Sequence, residues 1–215
     1  MNDSAIQRIV DAGVVAIMRA KSSDQLLAAA EAVREGGVTA IEVTMTTPGA
    51  LAVIEQAVAR YGEHVLFGAG TVLDPESARA AILSGAQFIV APALNLDTVE
   101  LCKRYAVPVM PGGYTPTEIL TAWQAGADFV KVFPASVGGP ALIKALKAPL
   151  PQVRMVPVGG VDLTTTADFI RAGAELVGVG SELVSQRLLD ERDFAAITER
   201  ARRFREEVAK GRDKS

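Results

Sequence analysis

The chain has 215 residues, which is long for an average domain but ordinary for one large α/β domain. Hydrophobic residues make up 49% of it and aromatic residues only 5%, so we expect a large core of Val, Ile, Leu and Ala. A net charge of −3 gives no reason to expect nucleic acid or an anionic membrane as a partner, and no apolar run approaches the ~20 residues of a membrane span.

The predicted elements begin with an amphipathic helix in "MNDSAIQRIVDAG", which lacks the regions of a signal peptide. The single cysteine, Cys102, excludes an internal disulfide and fits a reducing compartment, so we expect a cytoplasmic protein. Eight short apolar runs follow at intervals of about 20 to 26 residues. They are "GVVAIMR", "VTAIEVT", "HVLFGAG", "AQFIVAP", "VPVMPGG", "DFVKVFP", "VRMVPVGG" and "ELVGVGS". Runs that are apolar at nearly every position are typical of parallel strands covered on both faces.

Helical segments with clear start and stop signals lie between these runs. In "TPTEILTAWQAGA", Thr115 is the predicted N-cap, Pro116 takes the first helical position and Glu118 completes a capping box. Similar signals delimit two further helices. One starts at Ser22 with Gln25 and ends at Gly36–Gly37, and the other starts at Asp74–Pro75 and ends at Gly85, the predicted C-cap glycine.

Strand and helix alternate eight times without a linker, which predicts one domain over residues 1–215. We expect a closed (β/α)8 TIM barrel with an N-terminal helix and an outer C-terminal helix within Asp190–Ser215, fraying at "KGRDKS". A doubly wound open sheet is the alternative. That fold normally carries a dinucleotide fingerprint, and no G-x-G-x-x-G follows the first strand.

One lysine, Lys131, interrupts the apolar sixth run "DFVKVFPAS". If Val130 and Val132 face the helices, Lys131 points into the barrel near the carboxyl end of its strand, where barrel enzymes keep their chemistry. Burial of an unpaired ammonium is costly, and it lowers the pKa of the amine. A neutral amine is a nucleophile that forms a Schiff base with a carbonyl.

The second run contains the opposite charge, Glu42, between Ile41 and Val43. The same alternation points Glu42 inward, so one carboxylate can face Lys131 and move protons. This pair predicts a metal-free, imine-forming enzyme such as an aldolase. A purely structural ion pair is the alternative, although desolvation makes such pairs a poor source of stability.

Two glycine-containing loops follow the seventh and eighth runs, where barrels commonly bind phosphate. Gly159 and Gly160 lie in the first loop, and Gly180 and Ser181 lie in the second. Glycines let backbone N–H groups approach an anion, although turns also use glycine freely.

Two other polar residues are predicted at the same rim. Thr71, after the third run, suits a substrate carboxylate, and Arg19, after the first run, is a candidate anion-binding cation. The alternative for Arg19 is a solvated surface position. With one histidine, His64, at the opposite end, and one cysteine, we expect no metal site.

The motifs "GVVAIMR", "IEVT", "GAGTV", "KVFPAS", "VPVGGV" and "GVGSELV" over roughly residues 5 to 190 resemble the 2-keto-3-deoxy-6-phosphogluconate (KDPG) aldolases, including the bifunctional 4-hydroxy-2-oxoglutarate aldolases. The resemblance implies a class I aldolase that needs no cofactor, is typically a trimer and acts in Entner–Doudoroff-type breakdown of sugar acids. It also implies cleavage of KDPG to pyruvate and glyceraldehyde 3-phosphate, or of 4-hydroxy-2-oxoglutarate to pyruvate and glyoxylate.

The resemblance implies a role for each matching residue. Lys131 is the Schiff-base lysine, Glu42 the proton shuttle and Thr71 the group that holds the pyruvate carboxylate. The remaining residues are Pro92 and Phe133 around the pyruvyl methyl, and Gly159, Gly160, Gly180 and Ser181 around the phosphate.

The chain departs from the family pattern at Thr46, where many members have a carboxylate-binding arginine; our hypothesis is that Arg19 supplies this charge. The departure leaves open a 2-keto-3-deoxy-6-phosphogalactonate aldolase, which differs in configuration at C4 of the substrate. Two further classes of protein are compatible with a barrel that binds sugar phosphates: a phosphosugar epimerase or isomerase, and a non-catalytic sugar-phosphate-binding barrel.

Overall fold

The computed structural model describes residues 3–213 as parallel strands alternating with helices. All eight predicted runs form strands, and the fifth is divided in two. The strands are β1 Val14–Met18, β2 Ala40–Thr44, β3 Leu66–Gly70, β4 Ile89–Val90, β5 Val109–Met110, β6 Gly112–Gly113, β7 Val130–Val132, β8 Met155–Pro157 and β9 Val177–Val179.

Helices alternate with these strands, except that β5 is followed directly by β6; one helix precedes β1 and two follow β9. They are α1 Asp3–Ala12, α2 Ser23–Glu35, α3 Ala50–Tyr61, α4 Pro75–Leu83, α5 Leu96–Arg104, α6 Pro116–Gln124, α7 Gly139–Lys147, α8 Thr166–Arg171, α9 Gln186–Asp190 and α10 Phe194–Arg212. In the part of the chain that the structure describes, no helix is long and apolar enough to cross a membrane.

The predicted N-caps are confirmed, whereas the C-cap of α4 is Ser84, one residue before the predicted Gly85. The Thr115 side chain accepts from the backbone N–H of Glu118, whose side chain accepts from the backbone N–H of Thr115, so both bonds of the capping box form. Ser22 and Asp74 cap α2 and α4 through the N–H groups of Gln25 and Ser77.

The strands pair in parallel within a six-stranded and a three-stranded sheet. The first sheet has the order β5-β4-β3-β2-β1-β9 and the second the order β6-β7-β8. A bridge between Val158 and Gly178 connects the strands β8 and β9, and the chain itself continues from β5 to β6 through Pro111. Proline has no N–H to donate to a ladder, which explains the division of the fifth predicted strand.

Two apolar clusters cover the two faces of these strands. The larger cluster includes Val43, Val130 and Val132 and packs against the helices. The smaller cluster fills the inner face and includes Phe129, together with Ile9 of α1. The N-terminal helix therefore belongs to the inner core and covers it from one side.

The C-terminal helix α10 packs outside the sheets, mainly against α8 and α2. Its last turn is held where a guanidinium N–H of Arg212 donates to the carbonyl oxygen of Val10 at 2.7 Å. The predicted outer helix is confirmed. It continues through Arg212, so the fraying predicted from Lys210 onward is wrong for residues 210–212, and residues 214–215 lie outside the described residues.

Candidate active site

A cavity of about 310 Å³ opens where the strands end at their carboxyl termini. Its lining combines buried residues, among them Glu42 and Lys131, with partly or fully exposed residues that form its rim. All ten residues singled out in the sequence line it: Arg19, Glu42, Thr71, Pro92, Lys131, Phe133, Gly159, Gly160, Gly180 and Ser181.

Strand alternation brings Glu42 and Lys131 to the same inner face. On β2, Ile41 and Val43 belong to the outer cluster, and on β7 Val130 and Val132 do the same. The intervening charged side chains must therefore point inward. Lys131 is 5% exposed and Glu42 is 1% exposed.

The two charges are not joined as a closed ion pair. The Glu42 Oε1 atom is buried and accepts no hydrogen bond from residues 3–213. The Lys131 Nζ atom lies 5.2 Å from the centroid of the Phe133 ring, which forms one wall of the cavity. An unpaired carboxylate oxygen beside an amine fits a site that receives a substrate better than it fits a structural salt bridge.

Burial shifts the pKa values of both groups in the direction that favours the neutral form of each. It lowers the pKa of Lys131, which the nearby Glu42 raises and Arg19 lowers further. It raises the pKa of Glu42 in spite of the opposing charges of Lys131 and Arg19. A neutral lysine is a nucleophile, and a carboxyl group that titrates closer to neutral pH can both accept and donate a proton.

Arg19 lies at the rim of the cavity, one residue after β1, and is exposed. Its charge acts on both Glu42 and Lys131, which places a cation near these two groups. Thr46, at the position where many family members have an arginine, is also exposed, and its hydroxyl lies 3.0 Å from that of Thr44. The predicted rim cation therefore lies directly after β1.

Thr71 follows β3 with a φ of 59°, in the left-handed region. This conformation is a genuine outlier for a β-branched residue and costs about 1–3 kcal/mol, and such residues cluster at functional sites. It places Thr71 in the lining of the cavity. The strain itself was not visible in the sequence.

The two glycine loops also line the cavity. Gly159 and Gly160 have φ values of 84° and 77°, which favour glycine. A β-carbon at Gly160 would also lie 2.4 Å from Cβ of Ser136. At Gly180, by contrast, an added β-carbon meets nothing within 4 Å, so the fold does not require glycine there and the space stays open to a ligand.

Five further residues line the cavity and were not singled out in the sequence: Ile17, Val158, Val161, Gly178 and Glu182. Ile17 and Val158 belong to the inner apolar cluster. Strand alternation could have identified two of the five. Ile17 lies two residues before Arg19, and Gly178 lies two residues before Gly180, so the members of each pair share a face.

Residues expected to have no chemical role lie away from this cavity. Cys102 is fully buried in α5, and burial raises its pKa to about 12, so it is an inert thiol. Trp123 lies in α6 and packs against the outer cluster. His64 precedes β3, at the end opposite the cavity.

The other lysines also lie elsewhere. Lys21 pairs with Asp190, and Lys103 pairs with Asp128. Lys147 donates to the carbonyl oxygens of Pro151 and Val153. Lys144 and Lys210 lie on α7 and α10, and Lys214 lies outside the described residues.

Comparisons with known proteins agree with this geometry. Residues 5–200 match the model of the KDPG and KHG aldolase family. The chain is 40% identical over 171 residues to 2-dehydro-3-deoxy-6-phosphogalactonate aldolase of Escherichia coli, covering 79% of this chain and 83% of the relative. It is 32% identical over 203 residues to 2-dehydro-3-deoxy-phosphogluconate aldolase of Pseudomonas aeruginosa, covering 94% and 92%.

A solved structure of a KDPG aldolase has a similar backbone. The KDPG aldolase of Legionella pneumophila, with pyruvate captured at low pH as a covalent carbinolamine intermediate, superposes with a TM-score of 0.86 and 26% identity over 92% of this chain and 96% of that one. The family model, the relatives and the backbone thus all identify the same group of proteins. The chain belongs to the KDPG and KHG aldolase family and is a class I aldolase, a carbon–carbon lyase.

Proposed function

We propose that the protein cleaves KDPG to pyruvate and glyceraldehyde 3-phosphate through a Schiff base on Lys131, and that 4-hydroxy-2-oxoglutarate is a second substrate, cleaved to pyruvate and glyoxylate. One observation carries the proposal. A buried lysine and a buried glutamate that do not form an ion pair line the same cavity as two glycine loops, one of which leaves open space at Gly180.

The reaction begins at Lys131. Its neutral amine attacks the C2 ketone of the substrate, and loss of water from the carbinolamine gives a protonated imine. Burial favours the neutral amine because it lowers the pKa of Lys131. The positive imine nitrogen then withdraws electrons from the C3–C4 bond, so the enzyme needs no metal as an electron sink.

Glu42 moves the proton in the next step. Its carboxylate takes the proton of the C4 hydroxyl, C3–C4 breaks, the electrons of that bond enter the imine as an enamine, and the aldehyde leaves. Protonation of the enamine at C3 and addition of water then release pyruvate and regenerate Lys131. A raised pKa suits this role because Glu42 must both accept and return a proton.

The two ends of the cavity orient the substrate. Arg19 and Thr71 hold the carboxylate next to the ketone, while Pro92 and Phe133 enclose the carbon that becomes the pyruvyl methyl. The phosphate lies against the backbone N–H groups of the loops that contain Gly159, Gly160, Gly180 and Ser181, where no side chain blocks Gly180.

The test is reduction with borohydride in the presence of pyruvate, followed by peptide mass spectrometry. We expect one reduced pyruvyl adduct, on Lys131, and none in Lys131→Met. Lys147 is the internal control, because burial also lowers its pKa although it lies on α7. An adduct on Lys147 as well, or none at Lys131, would overturn the proposal. Binding of a sugar phosphate without any adduct would support the non-catalytic alternative.

A second candidate substrate is 2-keto-3-deoxy-6-phosphogalactonate. It is favoured by the 40% identity to the Escherichia coli enzyme and by Thr46, whose position lacks the arginine of many KDPG aldolases. The motif "EVT" supports the gluconate compound. Comparison of kcat/KM for the two C4 epimers decides between them: a ratio above one for the galactonate compound would make it the preferred substrate.

The remaining parts of the proposal concern the whole molecule. The pairing order, the bridge from β8 to β9 and the continuous chain through Pro111 support one closed (β/α)8 barrel over residues 1–215. A homotrimer and a cytoplasmic location follow from the family resemblance and from the single cysteine. Light scattering in solution tests the trimer, and a monomeric mass would contradict it.

A further inference from the structure

The inner face of β3 carries no side chain at its last two positions. Leu66 belongs to the inner cluster, and the residues that share its face are Gly68 and Gly70. The space at Gly68 is filled by Phe88, since a β-carbon there would lie 2.4 Å from the Phe88 ring. The space at Gly70 is filled by a different kind of side chain.

A β-carbon built at Gly70 would overlap the carboxyl group of Glu42. It would lie 1.6 Å from Oε1, 2.2 Å from Cδ and 2.4 Å from Cγ, and these three Glu42 atoms are its nearest neighbours. Glu42 pairs across the ladder with Gly68, so its side chain leans along the strand direction to reach the space beside Gly70, two residues further on. The Glu42 carboxyl group thus occupies the space that a side chain at position 70 would fill.

The backbone at Gly70 gives no other reason for glycine. The residue lies in a strand, and its φ is not among the positive values of the described glycines. Any residue can adopt such a conformation.

Neither can the backbone of Gly70 move away easily. Gly70 pairs with Thr44, and its carbonyl oxygen accepts a hydrogen bond of 2.7 Å from the N–H of Met45. An added methyl group would therefore displace the Glu42 side chain rather than the strand.

We propose that Gly70 is a positioning residue for the aldol reaction: by leaving its side-chain volume empty, it holds the Glu42 carboxyl group at the floor of the cavity. The inference rests on the proposed function of Glu42 as the proton shuttle. Gly70 itself does not contact the reacting atoms. It acts through Glu42, by leaving room for the carboxyl group.

The experiment is a double-mutant cycle of Gly70→Ala and Glu42→Ala, measured by kcat, KM and unfolding in urea. We expect Gly70→Ala to lower kcat by about 10²-fold or more, the range of general acid–base catalysis, with a smaller change in KM. In the Glu42→Ala background, the three clashing atoms are gone. There, Gly70→Ala should change kcat by less than about twofold and leave the urea midpoint unchanged.

The pH profile separates positioning from a merely structural effect. Burial raises the pKa of Glu42, and Gly70→Ala moves its carboxyl group toward the wetter cavity. The acidic limb of kcat/KM should therefore shift to lower pH. Gly68→Ala is the matched control: it disturbs packing on the same face of the same strand, against Phe88, and should leave the pH profile in place.

Each outcome decides the proposal. Equal losses of kcat from Gly70→Ala in both backgrounds, or no loss in either, would overturn it. If Gly70→Ala fails to fold, recovery of folding in the double variant supports it, whereas a double variant that also fails to fold overturns it. Borohydride trapping of pyruvate on the unaltered protein tests the proposed function separately, and the urea arm of the cycle tests the packing of Glu42 without any catalytic assumption.

Discussion

Arg19, Glu42 and Lys131 form a group of three charges with two of its members buried. Burial of Glu42 and Lys131 costs folding free energy, because each would be better solvated in the unfolded chain. Arg19 opposes part of the cost for Glu42 and adds to it for Lys131. This asymmetry favours a reactive amine. It also means that Arg19 can act on the reaction as well as on binding.

Substitution of Arg19 tests its proposed role in binding. Loss of a charged hydrogen bond to the substrate carboxylate costs about 1.5–3 kcal/mol, so Arg19→Ala should raise KM for pyruvate-type substrates by about 10- to 100-fold. Steady-state kinetics measure this change, and Arg19→Lys should recover part of it. The exposed Arg171 on α8 provides the control: Arg171→Ala should leave KM as it is. A KM unchanged in Arg19→Ala would remove Arg19 from the carboxylate site.

At the scale of elements, short strands position the residues of the site, and capped helices stabilise these strands. The strand β7, which carries Lys131, has only three residues, and the 3₁₀ turn Ala135–Val137 follows it closely. Such a strand gains its fixed geometry from neighbours: β6 and β8 on either side, and the helices that cover its outer face. Helix α6 connects β6 to β7, so its capped start fixes the chain on the way to Lys131.

The cap of α6 should therefore matter for stability. Thr115→Ala removes the side-chain half of the capping box and should cost about 1 kcal/mol of unfolding free energy. For a chain of this size that corresponds to a decrease of roughly 2–4 °C in Tm. Thr117→Ala, two residues later within α6, is the control and should be neutral or slightly stabilising, because alanine is the better helix former. Calorimetry that found equal Tm values for both variants would contradict the role of the cap.

At the scale of the whole molecule, the buried charges make stability depend on pH. The folded protein holds a proton on Glu42 at pH values where the unfolded chain, with an ordinary pKa of 4.5, has released it. The contribution of this group to stability is thus fully present below pH 4.5 and is lost as pH rises through the raised folded pKa. Lys131 has the opposite sign, since its folded pKa is lowered and its contribution is lost as pH falls.

A pair of variants without the amine isolates the glutamate. We expect the unfolding free energy of Lys131→Met, minus that of Lys131→Met/Glu42→Gln, to fall by about 1.4 kcal/mol per pH unit above pH 4.5 until the folded pKa is passed. Urea denaturation at a series of pH values measures the difference. The glutamine variant is the control because its amide does not titrate. A difference that stayed constant with pH would mean that Glu42 is solvated in the folded protein.

The sequence alone determined the order of the elements and the chemical type of the site. Apolar runs at regular intervals predicted every strand, since burial on both faces requires such runs. The charged residues Glu42 and Lys131 stood out against this apolar background, because an ionisable group at a buried position is costly unless it has a use. Strand alternation then assigned both to the same face.

The tertiary structure alone decided what depends on distance between separate strands. Three features are set by atoms far apart in the chain: the left-handed backbone of Thr71, the unpaired Glu42 oxygen near Lys131, and the space that Gly70 leaves for Glu42. A sequence pattern records whether a side chain is apolar or charged. It does not record which side chain fills the volume that a glycine leaves empty, because close packing is settled only when the strands meet.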